Sequence, residues 1–206
     1  MRLIIGLLVG VSCFGQSITL SGPSVARAGS SINIVVNFAP GTSVVAASQW
    51  VLQVPNGWSV TNAVVGTMGV TVGKLVSCTA DKVLCLLYGQ NTTAFSSGVA
   101  ITYTVQLPPN PAFGNTLIPL NGIVMASPVG DLVPLVGNQP GVNMVVKKKL
   151  GDINGDGIVD NTDVSLMAQM ILDARVDPNK CTEDQNNDNV CDVRDLIIVI
   201  INRGNP

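Results

Sequence analysis

Val99-Ala100-Ile101-Thr102-Tyr103-Thr104-Val105-Gln106-Leu107, closed by Pro108-Pro109, decides how this chain folds. Apolar and polar residues alternate along it, the pattern of a half-buried strand, and the prolines stop it because they lack an N–H for a ladder. Similar runs lie on either side. Ser31–Phe38 is one, and Trp50–Val54, closed by Pro55-Asn56-Gly57, is another. Val83–Tyr88 ends at Gly89, and Asn143–Val146 forms a last strand. From Gln16 to Val146 the chain is rich in Val, Thr, Ser, Gly and Pro, with no convincing helical stretch. Many short strands between turn residues predict a β-sandwich, its core built from aliphatics with Trp50, Trp58, Tyr88 and Tyr103.

Before this region, Met1-Arg2 precedes a short apolar run, Leu3–Val11, and then the small residues around Ser12-Cys13-Phe14-Gly15. That order predicts a signal peptide over residues 1–15, with the mature chain starting near Gln16. A lipid-bearing Cys13 is a second reading, against which Gly10 stands where such signals carry Leu. No other run is long enough to cross a bilayer; Leu196–Ile201 is six residues behind Arg194 and Asp195 and reads as a buried helix face. Export, to the medium or to a bacterial cell surface, agrees with the cysteines. Without the signal they are Cys78, Cys85, Cys181 and Cys191, which allow three pairings; Cys78–Cys85 and Cys181–Cys191 is the simplest. A hairpin turn centred on Asp81-Lys82 would set Cys78 opposite Cys85.

Charge is distributed unevenly. Of 13 acidic residues only Asp81 and Asp131 lie before residue 151, and the other 11 fall in 151–206 beside four basic ones. Such a density of carboxylates calls for cations. No basic patch with interleaved aromatics is present, which argues against a nucleic-acid partner.

The tail explains the acids. Asp152, Asn154, Asp156, Asp160 and Asp163 occupy positions 1, 3, 5, 9 and 12 of a twelve-residue loop, with Gly157 at position 6 and the carbonyl of Ile158 at position 7. Calcium is a hard ion that takes six to eight oxygens, and this spacing wraps them round one point. Asp184, Asn186, Asp188, Asp192 and Asp195 repeat the pattern, with Val190 at position 7 and Asn189, tolerant of left-handed backbone, at position 6. Two Ca2+ ions are therefore expected, the Asp152 site tighter than the Asp184 site. Leu166, Met167, Met170 and Ile171 recur at helical spacing after the first loop, as do Leu196, Val199 and Ile200 after the second.

Residues 151–203 thus resemble a type I dockerin, a small all-α module of two EF-hand-like calcium loops, each ending in Asp and each followed by a helix. The resemblance implies helices over Val164–Leu172 and Val193–Asn202, and partner-selecting roles for Asn161, Thr162, Val193 and Arg194. The strand after Ala28-Gly29-Ser30, the Val51–Val54 and Val99–Leu107 strands and the closing Gly141–Val146 make the preceding region similar to a cohesin, a nine-stranded jelly-roll sandwich related to some carbohydrate-binding modules. The expected organisation is a signal over 1–15, a cohesin-like sandwich over 16–146, a connector over 147–150 and a dockerin over 151–206.

Three functions follow for comparison. A secreted, non-catalytic calcium-binding interaction module would dock through the tail to a cohesin-like domain of another chain or another copy, in extracellular polysaccharide degradation or surface assembly. A carbohydrate-binding protein would use Trp50, Trp58, Tyr88 and Tyr103 on exposed faces, with polysaccharide as partner. A glycoside hydrolase would need two flanking carboxylates, and the sandwich has only Asp81 and Asp131; the chain also has no His. The first reading is preferred. The three-lysine connector Lys147–Lys149 is expected to be too short for the tail to fold back on its own sandwich, which favours contact between chains; separate cores and a short connector predict weak coupling between the two regions.

Overall fold

The computed structural model describes residues 16–137 and 139–204. The expected signal segment, with Cys13, lies outside the described residues. Eleven strands and three α-helices follow in order: β1 (Ser17–Ser21), β2 (Val25–Arg27), β3 (Ser31–Ala39), β4 (Ala47–Leu52), β5 (Ser59–Val65), α1 (Thr67–Thr71), β6 (Leu75–Cys78), β7 (Leu84–Tyr88), β8 (Gly98–Gln106), β9 (Gly114–Ala126), β10 (Leu132–Val133), β11 (Gly141–Lys147), α2 (Asn161–Ala174) and α3 (Val193–Asn202), with one 3-10 turn over Pro178–Lys180.

The strands form two facing sheets. One runs β1-β3-β8-β5; the other runs β2-β11-β9-β4-β7-β6, with β10 added to β9. All pairings are antiparallel except β2 with β11. The alternation in the sequence is the physical cause of this layering. Ile32, Ile34, Val36 and Phe38 of β3 point inward, as do Tyr103 and Val105 of β8, and Trp50 and Leu52 of β4 face them from the other sheet. Trp50 Nε1 donates to the Tyr103 hydroxyl at 2.8 Å, a buried bond that ties the sheets together through the core. Burial pushes the Tyr103 phenol up from its ordinary value.

Several expectations need correction. Eleven strands stand where nine were expected; β2 and β10, of three and two residues, are edge pieces too short to show a period of two. A helix, α1, interrupts the sandwich; its Met68 fills the core while Gly69 lies close against Val65 of β5 and Leu87 of β7. Trp50, Trp58 and Tyr103 are buried core residues, and only Tyr88 of the four proposed glycan-binding aromatics is partly exposed. Both local disulfides are present, and Cys78 stands directly opposite Cys85 in the β6–β7 ladder. Lys82 sits at the hairpin tip with φ 59°.

After β11 the chain passes into the acidic tail, whose own apolar cluster is Ile153, Val159, Met167, Cys191 and Val199. The connector is not a free spacer. Lys147 is the last residue of β11, paired with Arg27, and Arg27 Nη1 donates to the Lys148 carbonyl at 3.3 Å. Contrary to expectation, the tail also touches its own sandwich: Asn110 Nδ2 donates to the Asp156 carbonyl at 3.0 Å. Separate cores therefore coexist with a bonded junction.

Candidate metal centre

Each tail helix begins inside a loop. Asp160 is the N-cap of α2 and Asp192 the N-cap of α3. Three residues on, Asp163 and Asp195 reach back to the N-cap N–H and complete capping boxes built from two aspartates. The ninth and twelfth residues of each loop are thus the helix-starting signal as well. This signal shows why α2 begins at Asn161, three residues before the Val164 start that the resemblance implies.

The first and twelfth carboxylates organise the backbone. In the first loop Asp152 Oδ1 accepts from the N–H groups of Gly155 (2.7 Å) and Asp156 (3.1 Å), and Oδ2 from Gly157 (3.0 Å). Asp163 Oδ1 accepts from Ile153 (2.8 Å) and Asn154 (3.1 Å), and Oδ2 from Asp160 (2.9 Å). Asn154 Nδ2 meets Asp156 Oδ2 at 2.8 Å. The second loop repeats this almost bond for bond. Asp184 gathers the N–H groups of Asn187 (2.8 Å) and Asn189 (2.6 Å), and Asp195 those of Gln185 (2.8 Å), Asn186 (3.2 Å) and Asp192 (3.0 Å). Asn186 Nδ2 meets Asp188 Oδ2 at 3.1 Å. The sixth position is left-handed in both, Gly157 at φ 88° and Asn189 at φ 65°. Gln185 joins the loops, its Oε1 accepting from the Gly151 N–H at 2.9 Å.

The donor set is all oxygen, with no imidazole in the chain and both tail thiols in a disulfide, so its chemistry suits a hard cation such as calcium. Asp163 and Asp195 are fully buried, Asp152 nearly so, and none of the three is in an ion pair among the described residues. Among the described residues no three acidic or thiol groups converge as a ready-made ligand cluster. The carboxylates are turned onto backbone N–H groups instead, and the set is completed on paper by Asn side chains and the carbonyls of Ile158 and Val190.

The loops differ in charge. Arg194 bonds Asp188 and Asp192 at 2.7 Å each, so the second loop carries a cation of its own chain. Thr162 holds the equivalent place in the first loop. The arginine, followed by a backbone N–H, holds the Asp192 carboxyl below its usual range; backbone N–H bonding, chiefly from Thr162, does so for Asp160. Of the four residues expected to meet a partner, Thr162 and Val193 stand exposed at the helix starts, Arg194 is engaged with the loop, and Asn161 Oδ1 accepts from Arg203 Nη1 at 2.6 Å.

No family model and no curated protein matches the sequence. Solved structures do. The cohesin module of a family 33 glycoside hydrolase from Clostridium perfringens superposes with a TM-score of 0.55 at 8% identity, covering 66% of this chain and 99% of that module. The sandwich is cohesin-like in fold. Two further cohesins align less closely. A non-cellulosomal one from the archaeon Archaeoglobus fulgidus has a TM-score of 0.46, 14% identity, and covers 62% of this chain and 91% of its own. The third ScaB cohesin of R. flavefaciens, solved with a group 1 dockerin, has 0.47, 11%, 68% and 98%. At these identities the likeness is one of fold.

The cohesin-like sandwich leaves one face of its larger sheet uncovered. Register places Ser77, Leu86, Gln49 and Val124 in a row across β6, β7, β4 and β9, and Leu75, Leu84, Leu86 and Val124 are each more than a third exposed. The tail helices expose Leu166, Val193, Ile197 and Ile201. Among the described residues no helix is long and apolar enough to cross a membrane.

Proposed function

We propose that this chain is an exported, non-catalytic interaction protein in which a cohesin-like sandwich carries a dockerin-type tail that folds around two calcium ions. The observation that carries the reading is the repeated loop: two twelve-residue segments, each with its first and twelfth aspartates gathering the same set of N–H groups. Asp152, Asn154, Asp156, Ile158, Asp160 and Asp163 would hold one ion; Asp184, Asn186, Asp188, Val190, Asp192 and Asp195 the other. The ions would offset the tail's excess of carboxylates and stabilise it by mass action.

The exposed apolar residues of α2 and α3 would then dock on a cohesin-like surface of another chain. The Leu84, Leu86 and Val124 face of a second copy supplies apolar area of matching kind, and the acidic tail is steered by the less acidic sandwich. Because cation binding orders the helices that make the contact, docking should require calcium. The setting we propose is extracellular polysaccharide degradation or surface assembly. The module of this fold from C. perfringens belongs to a glycoside hydrolase.

Isothermal titration of residues 16–206 with calcium should give two ions per chain, the first loop binding more tightly because Arg194 competes in the second. Sedimentation in calcium and in EDTA then tests the partner. Association in calcium that is lost in EDTA and in Leu86→Asp supports a second copy. A chain that binds fewer than two ions refutes the calcium reading, and a calcium-loaded monomer refutes self-docking.

A further inference from the structure

The two loops differ at their sixth position in a way that backbone angle alone does not explain. Asn189 occupies the left-handed turn of the second loop, so that turn accepts a side chain. In the first loop a Cβ on Gly157 would stand 2.7 Å from Asn110 Oδ1 and 3.1 Å from Asn110 Cγ and Nδ2. Asn110 belongs to the sandwich. It lies between Pro109 and Pro111 after β8, where flanking prolines restrict its backbone, and its Nδ2 donates to the Asp156 carbonyl at 3.0 Å. Gly157 therefore makes room for a neighbour as well as for a turn.

A second group from the sandwich side holds the same loop. Lys148, one residue beyond β11, donates from Nζ to the Ile153 carbonyl at 2.9 Å and pairs with Glu183 Oε1 at 2.7 Å. Its stem packs 3.3 Å from where a Cβ on Gly155 would be. Within the twelve residues of the second loop, the sandwich-side contact among the described residues is a marginal 3.5 Å one from Lys147 Nζ to Asn187 Oδ1.

We propose that the first loop is the docking element of the tail: Asn110 and Lys148 clamp its backbone to the sandwich, so that tail orientation and cation occupancy of that loop are linked. The docking half stands on geometry; the linkage half rests on the calcium reading above. Linkage is reciprocal. A loop already held in shape by the sandwich binds its ion more tightly, and the bound ion tightens the clamp.

Gly157→Asn tests this, because it installs the residue the second loop already tolerates. In EDTA, where no cation contributes, amide hydrogen exchange across 151–158 of the full chain should rise in Gly157→Asn and in Asn110→Ala. The double variant should exchange no faster than Asn110→Ala, since the truncated Asn110 no longer clashes. Lys148→Met, which leaves the loop sequence intact, should raise exchange at Ile153 and its neighbours. Simple additivity of the Gly157 and Asn110 effects, or no change in Lys148→Met, overturns docking. Calcium titration in an Asp195→Asn background then isolates the first loop, whose affinity should fall about two- to tenfold in Asn110→Ala, the worth of one hydrogen bond. Unchanged affinity overturns linkage. Coupled exchange in EDTA from a chain that takes up no calcium overturns the calcium reading and leaves the docking established.

Discussion

Replacing Asp163 by Asn alters one atom at a point where the tail has no slack. The Asp163 carboxylate is fully buried and accepts three backbone N–H groups. In Asp163→Asn the amide oxygen can keep Ile153 and Asn154, but the amide NH2 then faces the Asp160 N–H, donor against donor. Losing one charge-assisted bond removes about 1.5–3 kcal/mol, and the two that remain weaken once the charge is gone. A total of about 2–4 kcal/mol is expected, felt at the first loop and the start of α2. Urea unfolding in EDTA, followed by far-ultraviolet circular dichroism for the tail and tryptophan fluorescence for the sandwich, separates the two regions. In calcium the gap should widen by about 2.7 kcal/mol at a hundredfold excess over Kd, because the variant forfeits that site. Asp195→Asn should behave alike, since Asp195 holds the equivalent three groups. A cost below about 0.5 kcal/mol in EDTA for both variants would refute the claim that these carboxylates organise the loops.

Tyr103→Phe keeps the ring but orphans the buried Trp50 N–H, and should destabilise the sandwich by about 1–3 kcal/mol in the same fluorescence measurement. Acid should unfold the tail. Asp160 and Asp192 are held below their ordinary values, so the folded tail binds protons less readily than the unfolded one; the stability they contribute is present above the usual carboxylate range, about pH 4, and is lost as pH falls through their native values. Helical signal of the chain in EDTA should therefore decline between about pH 4 and pH 2, and a flat profile would count against it. Arg194→Ala should raise calcium affinity at the second loop several-fold and increase its salt dependence, because the loop then carries one more uncompensated negative charge; an unchanged titration would show that Arg194 does not occupy the loop in solution.

Periodicity was a sound guide wherever burial is one-sided. Val99–Leu107 and Ser31–Phe38 became β8 and β3 almost to the residue, because a strand with one face in the core must alternate. It was silent for β2 and β10, which are too short to show a repeat, and for α1, whose five residues make little more than one turn. β9 was missed for another reason: Pro119 and Gly122 break up its thirteen residues, and the structure tolerates them within a long, irregularly registered pair. The repeat of the two loops was readable because the spacing of their aspartates and asparagines is a local property of consecutive residues. The Asn110 contact was not, since it joins positions 46 apart in sequence, and only an unexplained difference between Gly157 and Asn189 pointed to it. Arg194 was singled out by the family resemblance alone; its exposed guanidinium pairs with Asp188 and Asp192 of its own loop, a contact the spacing did not announce.

The parallel pairing of β2 with β11 has a mechanical consequence. Val25, Ala26 and Arg27 run alongside Val145, Val146 and Lys147, and β11 leads straight into the tail. A pull between the N-terminal end of β2 and the tail would draw these two strands past each other in opposite directions along their length. The rungs between them, and those from β11 to β9, would then be strained together in shear, with no single bond positioned to open first. Tension transmitted through the tail would meet the sandwich along its strands, the direction in which a ladder resists separation most strongly.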